Sequence, residues 1–115
     1  GVKRDKADAE WSDMVRARDG WTCQRCGKHY PPPTRALHAA HLFSRGRRRT
    51  RTEPDAGVAA CYGCHRWLDA HPDERKALGV KKIGKKRYNE LERMSRTPAK
   101  VAATRVHRLA GKVDK

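Results

Sequence analysis

Two Cys-x-x-Cys pairs constrain this chain more than any other feature of its sequence. They contain all four cysteines of the protein, which are Cys23, Cys26, Cys61 and Cys64. Four thiolates are enough to close one tetrahedral zinc site, and such a four-cysteine site would tie two distant parts of the chain together. Two disulfides are the alternative that this pattern leaves open.

The size and composition of the chain also favour a cross-link. Its 115 residues suffice for one domain, and they are 37% hydrophobic and 36% charged, so little apolar surface can be buried. We find no apolar signal-like stretch at the start and no run long enough to span a membrane. We therefore expect no membrane partner and a reducing cytoplasm, where paired cysteines usually bind metal, so that structural zinc is favoured over disulfides.

The chain carries a large excess of positive charge. Lys and Arg number 28 against 13 Asp and Glu, which gives a formal net charge of +15. This excess is more than solubility needs and predicts a polyanionic partner. An anionic membrane would need a basic amphipathic helix or a lipidation signal, and neither is evident. Ribosome-like and disordered basic proteins have a similar excess of positive charge, so charge alone does not identify the partner.

Apolar spacing and turn residues predict several short elements. Trp11, Met14 and Val15 mark the core-facing side of a helix over 7–18, which an Asp-Gly pair should end. The other expected elements up to the second cysteine pair are a zinc knuckle over 21–27, a stiff Pro-rich loop over 30–33, a strand over 35–44, a basic turn over 44–52 and a strand at 58–60. A helix should begin near His65, and Pro72 should either break it or begin a new one, with a further turn of helix over 72–78. A basic linker over 81–86, a helix over 87–96 and a basic, partly disordered tail from Pro98 follow.

A second group of metal-binding residues lies between and beside the cysteine pairs. His38 and His41 precede a run of arginines, and His65 directly follows the second pair. The whole series, Cys-x-x-Cys, His-x-x-His-x-x-Ser-Arg-Gly, Arg and Cys-x-x-Cys-His, resembles the HNH endonucleases. It is most similar to the zinc-clasped phage type, which includes NinG-like recombination proteins. The resemblance covers residues 21–72 and extends loosely into 86–91.

This resemblance implies an α+β fold with a small ββα-metal (His-Me finger) core, a structural zinc clasp made by the four cysteines, and flanking N- and C-terminal helices. It implies a single HNH endonuclease domain over 1–115, with the core at about 21–72 and a basic C-terminal helix and tail over 80–115. Such an enzyme hydrolyses or nicks DNA with a divalent metal such as Mg²⁺, Mn²⁺ or Ni²⁺. By the same analogy, it works in the cytoplasm of a bacterial or phage-infected cell.

Carried over residue by residue, the resemblance assigns roles to three histidines. His41 matches the general base that activates water, while His38 and His65 match ligands of the catalytic metal. Asp69 lies four residues after His65, on the same face of the predicted helix, and is a third ligand candidate. A neutral imidazole suits proton removal near neutral pH, and few protein ligands leave the metal open positions for phosphate and water.

The basic turn lies between the two halves of this candidate site. Its arginines are expected to contact DNA phosphates and to position the duplex without reading its sequence. These nucleic-acid-binding candidates are Arg45, Arg47, Arg48, Arg49 and Arg51. No recognition helix is evident, so weak sequence specificity is expected.

One residue departs from the family pattern. The Asn that usually lies about five residues before the second cysteine pair, and that braces the loop carrying the base, is replaced by Ala56; the single Asn of the chain is Asn89. The alternative function is therefore a zinc-stabilised nucleic-acid-binding module with a degenerate HNH site. A basic assembly protein of RNA complexes is a third hypothesis, which would need none of the three histidines.

The spacing of the two strand histidines raises a geometric question. In a regular strand, positions 38 and 41 point to opposite faces of the sheet. A ligand and a base that act on one phosphate must share a face. We therefore expect a bulge or bend near Ala39-Ala40.

Overall fold

A computed structural model describes residues 6–97 of the chain. Its elements in chain order are helix α1 (Lys6–Arg18), strand β1 (Leu37–His41), a short 3-10 turn (Pro54–Ala56), strand β2 (Gly57–Cys61), and helices α2 (Tyr62–Ala70), α3 (Pro72–Ile83) and α4 (Lys85–Ser95). The two strands form one antiparallel sheet, in which Leu37 lies opposite Cys61 and His41 opposite Gly57. The described residues thus form a mixed α+β fold, as the sequence predicted, with helices on either side of the hairpin.

Small residues allow helices to cover both sides of the sheet. Strand β2 is buried from Gly57 to Ala60 because α1 and α2 both pack against the sheet. Leu37, Leu68 and Leu91 are almost fully buried and join β1, α2 and α4 in one apolar cluster. Burying a leucine side chain contributes roughly 1.5–3 kcal/mol to stability, so this cluster is a main apolar contribution in so small a domain.

The end of α1 is joined to the sheet through a buried carboxylate. Asp19 follows the last helical residue and accepts a 2.8 Å hydrogen bond from the backbone N–H of Ala59. It also pairs with Lys82 of α3 at 3.2 Å. The predicted Asp-Gly stop is confirmed, since Gly20 takes a φ of 66°, which favours glycine. The Asp19-Gly20 pair therefore ends α1, and the side chain of Asp19 joins the end of this helix to β2.

Several element boundaries differ from the sequence prediction. The expected basic linker over 81–86 is wrong: Lys81 and Lys82 belong to α3, Gly84 alone interrupts the chain with a φ of 86°, and Lys85 begins α4. Lysines are good helix formers, so a break needs only the glycine. The single turn expected from Pro72 is a full helix, and the tail from Pro98 lies outside the described residues.

The expected bulge near Ala39-Ala40 is also wrong. Pairing between β1 and β2 continues without interruption from residue 37 to residue 41. Burial along β1 repeats every three residues instead of every two, with Leu37 and Ala40 buried and His38 and His41 partly exposed. His38 and His41 are therefore both partly exposed on a regularly paired strand.

We find no helix in the described part of the chain that is both long enough and apolar enough to cross a membrane.

Packing between α1 and β2 can be tested at Gly57. A Cβ atom there would lie 2.6 Å from Trp11 Cη2 and closer still to Cζ2. We expect Gly57→Ala to lower the free energy of unfolding by about 1–3 kcal/mol, as overpacking does. The measurement is denaturant unfolding of the zinc-loaded protein.

Gly63→Ala is the matched control for this substitution. Gly63 lies in α2, and a Cβ atom there would meet nothing within 4 Å. It should leave stability unchanged or raise it by about 0.5–1 kcal/mol, because alanine favours helix. Equal effects of the two substitutions would contradict the close approach of Trp11 to β2.

Candidate functional site

The four cysteines come together from three parts of the fold. Cys23 and Cys26 lie in the turn after α1, Cys61 ends β2, and Cys64 lies in the first turn of α2. Their sulfur atoms all lie within 4.8 Å of one another, and Cys26 Sγ is 3.9 Å from Cys61 Sγ. Sulfurs bound to one tetrahedral zinc at about 2.3 Å each would be separated by about 3.8 Å. The cluster therefore has the dimensions of a four-cysteine zinc site.

The electrostatics of the cluster also suit a cation. Burial raises the pKa of Cys23, but backbone hydrogen bonds from Cys26, Cys61 and Arg25 outweigh it and lower the pKa to about 6. Burial and the nearby Cys61 and Cys23 raise the pKa of Cys64 to about 12, although Arg25 acts against this shift. Four adjacent sulfurs thus cannot all be thiolates unless a positive ion neutralises them.

The disulfide alternative does not fit these sulfurs. All four cysteines are free thiols in the structure. A disulfide needs an S–S distance near 2.05 Å, well below the 3.9 Å between Cys26 and Cys61. The donor set, its spacing and its charge therefore support structural zinc.

The second predicted metal group lies across the hairpin from this cluster. His38 on β1 and His65 on α2 face each other, with their Nδ1 atoms 3.0 Å apart. Two imidazole nitrogens that bind one divalent ion at right angles, at about 2.1 Å each, also lie about 3.0 Å apart. Burial, followed by the charges of His65 and Arg16, lowers the pKa of His38, which favours the neutral form that binds metals.

Asp69 lies beside this pair but not between its nitrogens. Its Oδ2 is 3.7 Å from Nε2 of His65, the nitrogen that points away from His38. Its other oxygen is 3.5 Å from Arg75. Among residues 6–97, the cysteine cluster is the one group in which three or more ligand atoms approach within 4.8 Å. Asp69 thus lies near the second nitrogen of His65, at a distance too long for a hydrogen bond, and the structure does not bring it together with both histidine nitrogens.

The ring of His41 is held by the backbone carbonyl of Arg51 and by an aromatic ring. Its Nε2 lies 3.0 Å from the carbonyl oxygen of Arg51, which can only accept a hydrogen bond. The proton therefore sits on Nε2, and Nδ1 keeps a free lone pair. The ring stacks on Trp11 of α1, with centroids 4.1 Å apart and an angle of 16° between the planes.

The surroundings of His41 keep it neutral. Burial lowers its pKa below the usual value, and Arg45 and His65 act in the same direction. The hydrogen bond to the Arg51 carbonyl and the charge of Asp8 oppose this shift without reversing it. A neutral imidazole can accept a proton, so the site favours the state that a general base needs.

One cleft brings the three histidines together. It encloses about 640 Å³ and is lined by His38, His41 and His65, with Arg35 and Arg45 at its walls. A second cleft of about 590 Å³ lies on the other side of the His38–His65 pair and contains the exposed ring of Tyr62. A phosphate in the first cleft could therefore approach both the histidine pair and His41.

The five arginines of the basic turn do not form one surface. Arg45 and Arg51 point inward to the buried carboxylate of Asp8, at 2.6 Å and 3.3 Å. Arg47 and Arg48 are exposed, and Arg49 is partly exposed. Arg45 and Arg51 thus have a structural role that the sequence did not predict. The other three arginines of the turn remain candidates for phosphate contact.

Two residues of this site were not recognised as such in the sequence. Asp8 lies on the buried face of α1 together with Trp11, three residues later, and each is at most 5% exposed. An acidic residue on the apolar face of a helix is unusual and was the available signal. Trp11 was assigned to the core, and its contact with His41 depends on tertiary packing that periodicity cannot predict.

Ala56, at the position where the resemblance to HNH endonucleases predicts an Asn, closes the 3-10 turn before β2. It is 1% exposed, and its carbonyl accepts a 2.9 Å hydrogen bond from the backbone N–H of Leu42. Its methyl group offers no side-chain hydrogen bond. Any brace of this loop must therefore come from other residues.

Comparisons of the chain with protein-family models, with curated proteins and with solved structures found no match.

Zinc binding at the cysteine cluster can be tested directly. We expect the purified protein to retain one tightly bound zinc per chain after dialysis against EDTA, and Cys64→Ala to lose it. Because structural zinc contributes directly to folding, Cys64→Ala should also lose the cooperative thermal transition. The measurements are elemental analysis and circular dichroism.

His29→Ala is the control for the zinc measurement. His29 is the histidine paired with the knuckle through its bridge to Thr22, but it is not one of the four clustered ligands. Its substitution should leave the zinc content unchanged. Retention of zinc by Cys64→Ala would contradict the four-cysteine site.

Proposed function

We propose that this protein is a metal-dependent HNH endonuclease that hydrolyses or nicks DNA phosphodiester bonds, with His41 as general base. One observation carries the proposal: the facing nitrogens of His38 and His65, 3.0 Å apart, line the same cleft as His41. A pair of possible metal ligands next to a neutral, oriented imidazole suits metal-assisted phosphodiester hydrolysis with a general base. The hairpin followed directly by α2 would then correspond to the ββα-metal core.

His38 and His65 are the residues that would hold the catalytic divalent ion, such as Mg²⁺, Mn²⁺ or Ni²⁺. When bound, such an ion neutralises charge on the phosphate and stabilises the leaving oxygen. Asp69 lies on the far side of His65 from His38, with its Oδ2 3.7 Å from Nε2, which is too long for a hydrogen bond, so it would act on this pair only as a nearby charge.

His41 would take the proton from the attacking water. Its Nε2–H donates to the carbonyl oxygen of Arg51, so Nδ1 is the atom that accepts the proton. The water oxygen forms a bond to phosphorus as the bond from phosphorus to the 3′ oxygen breaks. The 3′ oxygen then takes up a proton from solvent, and the products carry a 5′ phosphate and a 3′ hydroxyl.

DNA is the proposed substrate because of the charge around this cleft. The chain has a net charge of +15, and the exposed Arg47 and Arg48 extend from the turn that also supplies the carbonyl partner of His41. Arginines at such a place contact phosphate oxygens and fix the position of the backbone. This arrangement supports binding that depends weakly on sequence.

The second candidate function is a zinc-stabilised nucleic-acid-binding module with a degenerate site. Ala56 favours it, because this residue cannot supply the side-chain contacts of an Asn. The neutral state and fixed orientation of His41 support the enzyme instead, since a module that only binds DNA would need neither. The two functions differ in whether metal-dependent cleavage occurs.

Cleavage of supercoiled plasmid tests the enzyme. We expect nicked or linear product with Mg²⁺, Mn²⁺ or Ni²⁺ and none with EDTA, and a loss of about 100-fold or more in rate for His41→Ala, because general base catalysis is removed. The rates are read from gels at saturating DNA.

His71→Ala is the matched control for His41→Ala. His71 stacks on Trp67, and it does not line either of the two clefts described above. Its substitution should leave cleavage within about twofold. DNA binding without cleavage under every metal tested would reject the enzyme and support the binding module.

The salt dependence of DNA binding tests the basic turn. We expect the double substitution Arg47→Ala/Arg48→Ala to weaken binding for all sequences. It should also reduce the slope of log K against log salt by about 0.9 for each phosphate that the turn no longer neutralises. Fluorescence anisotropy with duplexes of unrelated sequence, from low to physiological salt, measures both effects.

Arg93→Ala removes a charge from an exposed arginine of α4 and serves as the control. It should lower affinity less and leave the slope nearly unchanged. An equal change of slope per charge at Arg93 would show that the basic turn makes no specific phosphate contacts.

A further inference from the structure

Helix α1 holds the loop behind His41 through the backbone carbonyls of that loop, while the side chains of Glu53 and Asp55 pair with the partly exposed Arg87 of α4. This loop comprises residues 51–57; it begins with the carbonyl partner of His41 and contains Ala56. Trp11 Nε1–H donates to the carbonyl oxygen of Glu53 at 2.7 Å. Arg18 donates to the carbonyl oxygens of Pro54 at 3.0 Å and Gly57 at 2.7 Å. Three carbonyls on both sides of Ala56 thus accept hydrogen bonds from α1.

Trp11 also fixes the plane of the His41 ring. The two rings are stacked, and the indole covers Gly57, the strand partner of His41. Gly57 has no side chain, so the indole can lie against the backbone at this pair. Trp11 is 4% exposed and so cannot easily move away. The stack sets the tilt of the imidazole, while the Arg51 carbonyl sets its rotation.

Asp8 holds the start of the same loop. Its buried carboxylate pairs with Arg45 at 2.6 Å and with Arg51 at 3.3 Å. Charged pairs that are mostly buried constrain geometry more than exposed pairs do. The Arg51 carbonyl that orients His41 therefore belongs to a residue whose side chain is tied to α1.

We propose that α1 is the positioning element for His41, with Trp11 as the main positioning residue and with Asp8 and Arg18 bracing the loop that orients the base. This arrangement does the bracing that the methyl group of Ala56 cannot do. The consequence for catalysis rests on the proposed endonuclease function. Its structural part, the fixed orientation of His41 by Trp11, does not depend on activity.

Two substitutions of Trp11 separate its contacts. Trp11→Phe keeps a flat ring for stacking but removes the N–H that braces Glu53, whereas Trp11→Leu removes both. We expect Trp11→Leu to lower kcat by about ten- to a hundred-fold with KM for DNA nearly unchanged, because a small displacement of the base is costly. Trp11→Phe should fall between Trp11→Leu and the parent.

Val15→Ala controls for lost packing of α1. Val15 is fully buried on the same helix and is not among the residues that line the cleft of the three histidines. It should lower stability but keep kcat within about twofold at a temperature where all variants retain zinc and a folded circular dichroism spectrum. A similar loss of kcat in Val15→Ala and Trp11→Leu would overturn the proposal.

Imidazole nitrogen NMR provides a measurement that needs no activity. In the parent zinc-loaded protein, we expect His41 to show one tautomer with a slowly exchanging Nε2–H. In Trp11→Leu, this proton should exchange fast and the tautomers should mix, with an intermediate result in Trp11→Phe.

The combined results distinguish the two proposals. If the parent does not cleave DNA but Trp11→Leu releases the His41 ring, the endonuclease function fails and the positioning role stands. If the His41 signals are unchanged in Trp11→Leu, the positioning role is overturned, whether or not kcat falls. If Trp11→Leu does not fold, the same comparison is made with Trp11→Phe, whose aromatic ring preserves the packing.

Discussion

Four sulfur atoms that meet within 4.8 Å of one another join two parts of the chain that are distant in sequence. One pair comes from the turn after α1, and the other spans the junction of β2 and α2. The apolar core is small, and the hairpin has only five residues in each strand. A short two-stranded ribbon is marginally stable by itself, so the order of this hairpin depends on the helices and the clasp around it. A cation at the sulfurs therefore stabilises the geometry of the histidines as well as its own ligands.

The clasp also determines where His65 points. Helix α2 begins directly after Cys61, so Cys64 and His65 are consecutive residues of its first turn. Neighbouring positions on an α-helix differ by about 100° in direction. Once Cys64 faces the sulfur cluster, His65 must face elsewhere, and here it faces His38 on β1. The cysteine cluster and the histidine pair are thus linked by helix geometry, although they lie on different sides of α2.

The sequence predicted those features that depend on local chemistry or on spacing along the chain. The cluster of four cysteines, the end of α1 at Asp19 and Gly20, and the hairpin between the cysteine pairs are of this kind. The lysines around Gly84 were misassigned to a linker because charge was taken as a sign of a loop, although lysine favours helix. The burial of Leu37 and Ala40 in β1 does not follow a period of two, because helices cover both sides of the sheet, and the shared cleft of His38 and His41 needed the structure. Contacts such as that of Trp11 with His41 join distant residues and needed the structure.

Helix α1 contributes contacts to His41 although it lies outside the motif that the sequence reveals. The resemblance to HNH endonucleases covers residues 21–72, whereas Asp8, Trp11 and Arg18 all precede that region. These side chains nevertheless contact the ring of His41 or the loop that orients it. Burying a charged carboxylate such as that of Asp8 costs desolvation energy, which paired charges must offset. The partners of Asp8 are two arginines of the basic turn. Arg45 and Arg51 of the turn therefore pair with Asp8 of α1, whereas Arg47 and Arg48 are left exposed to solvent.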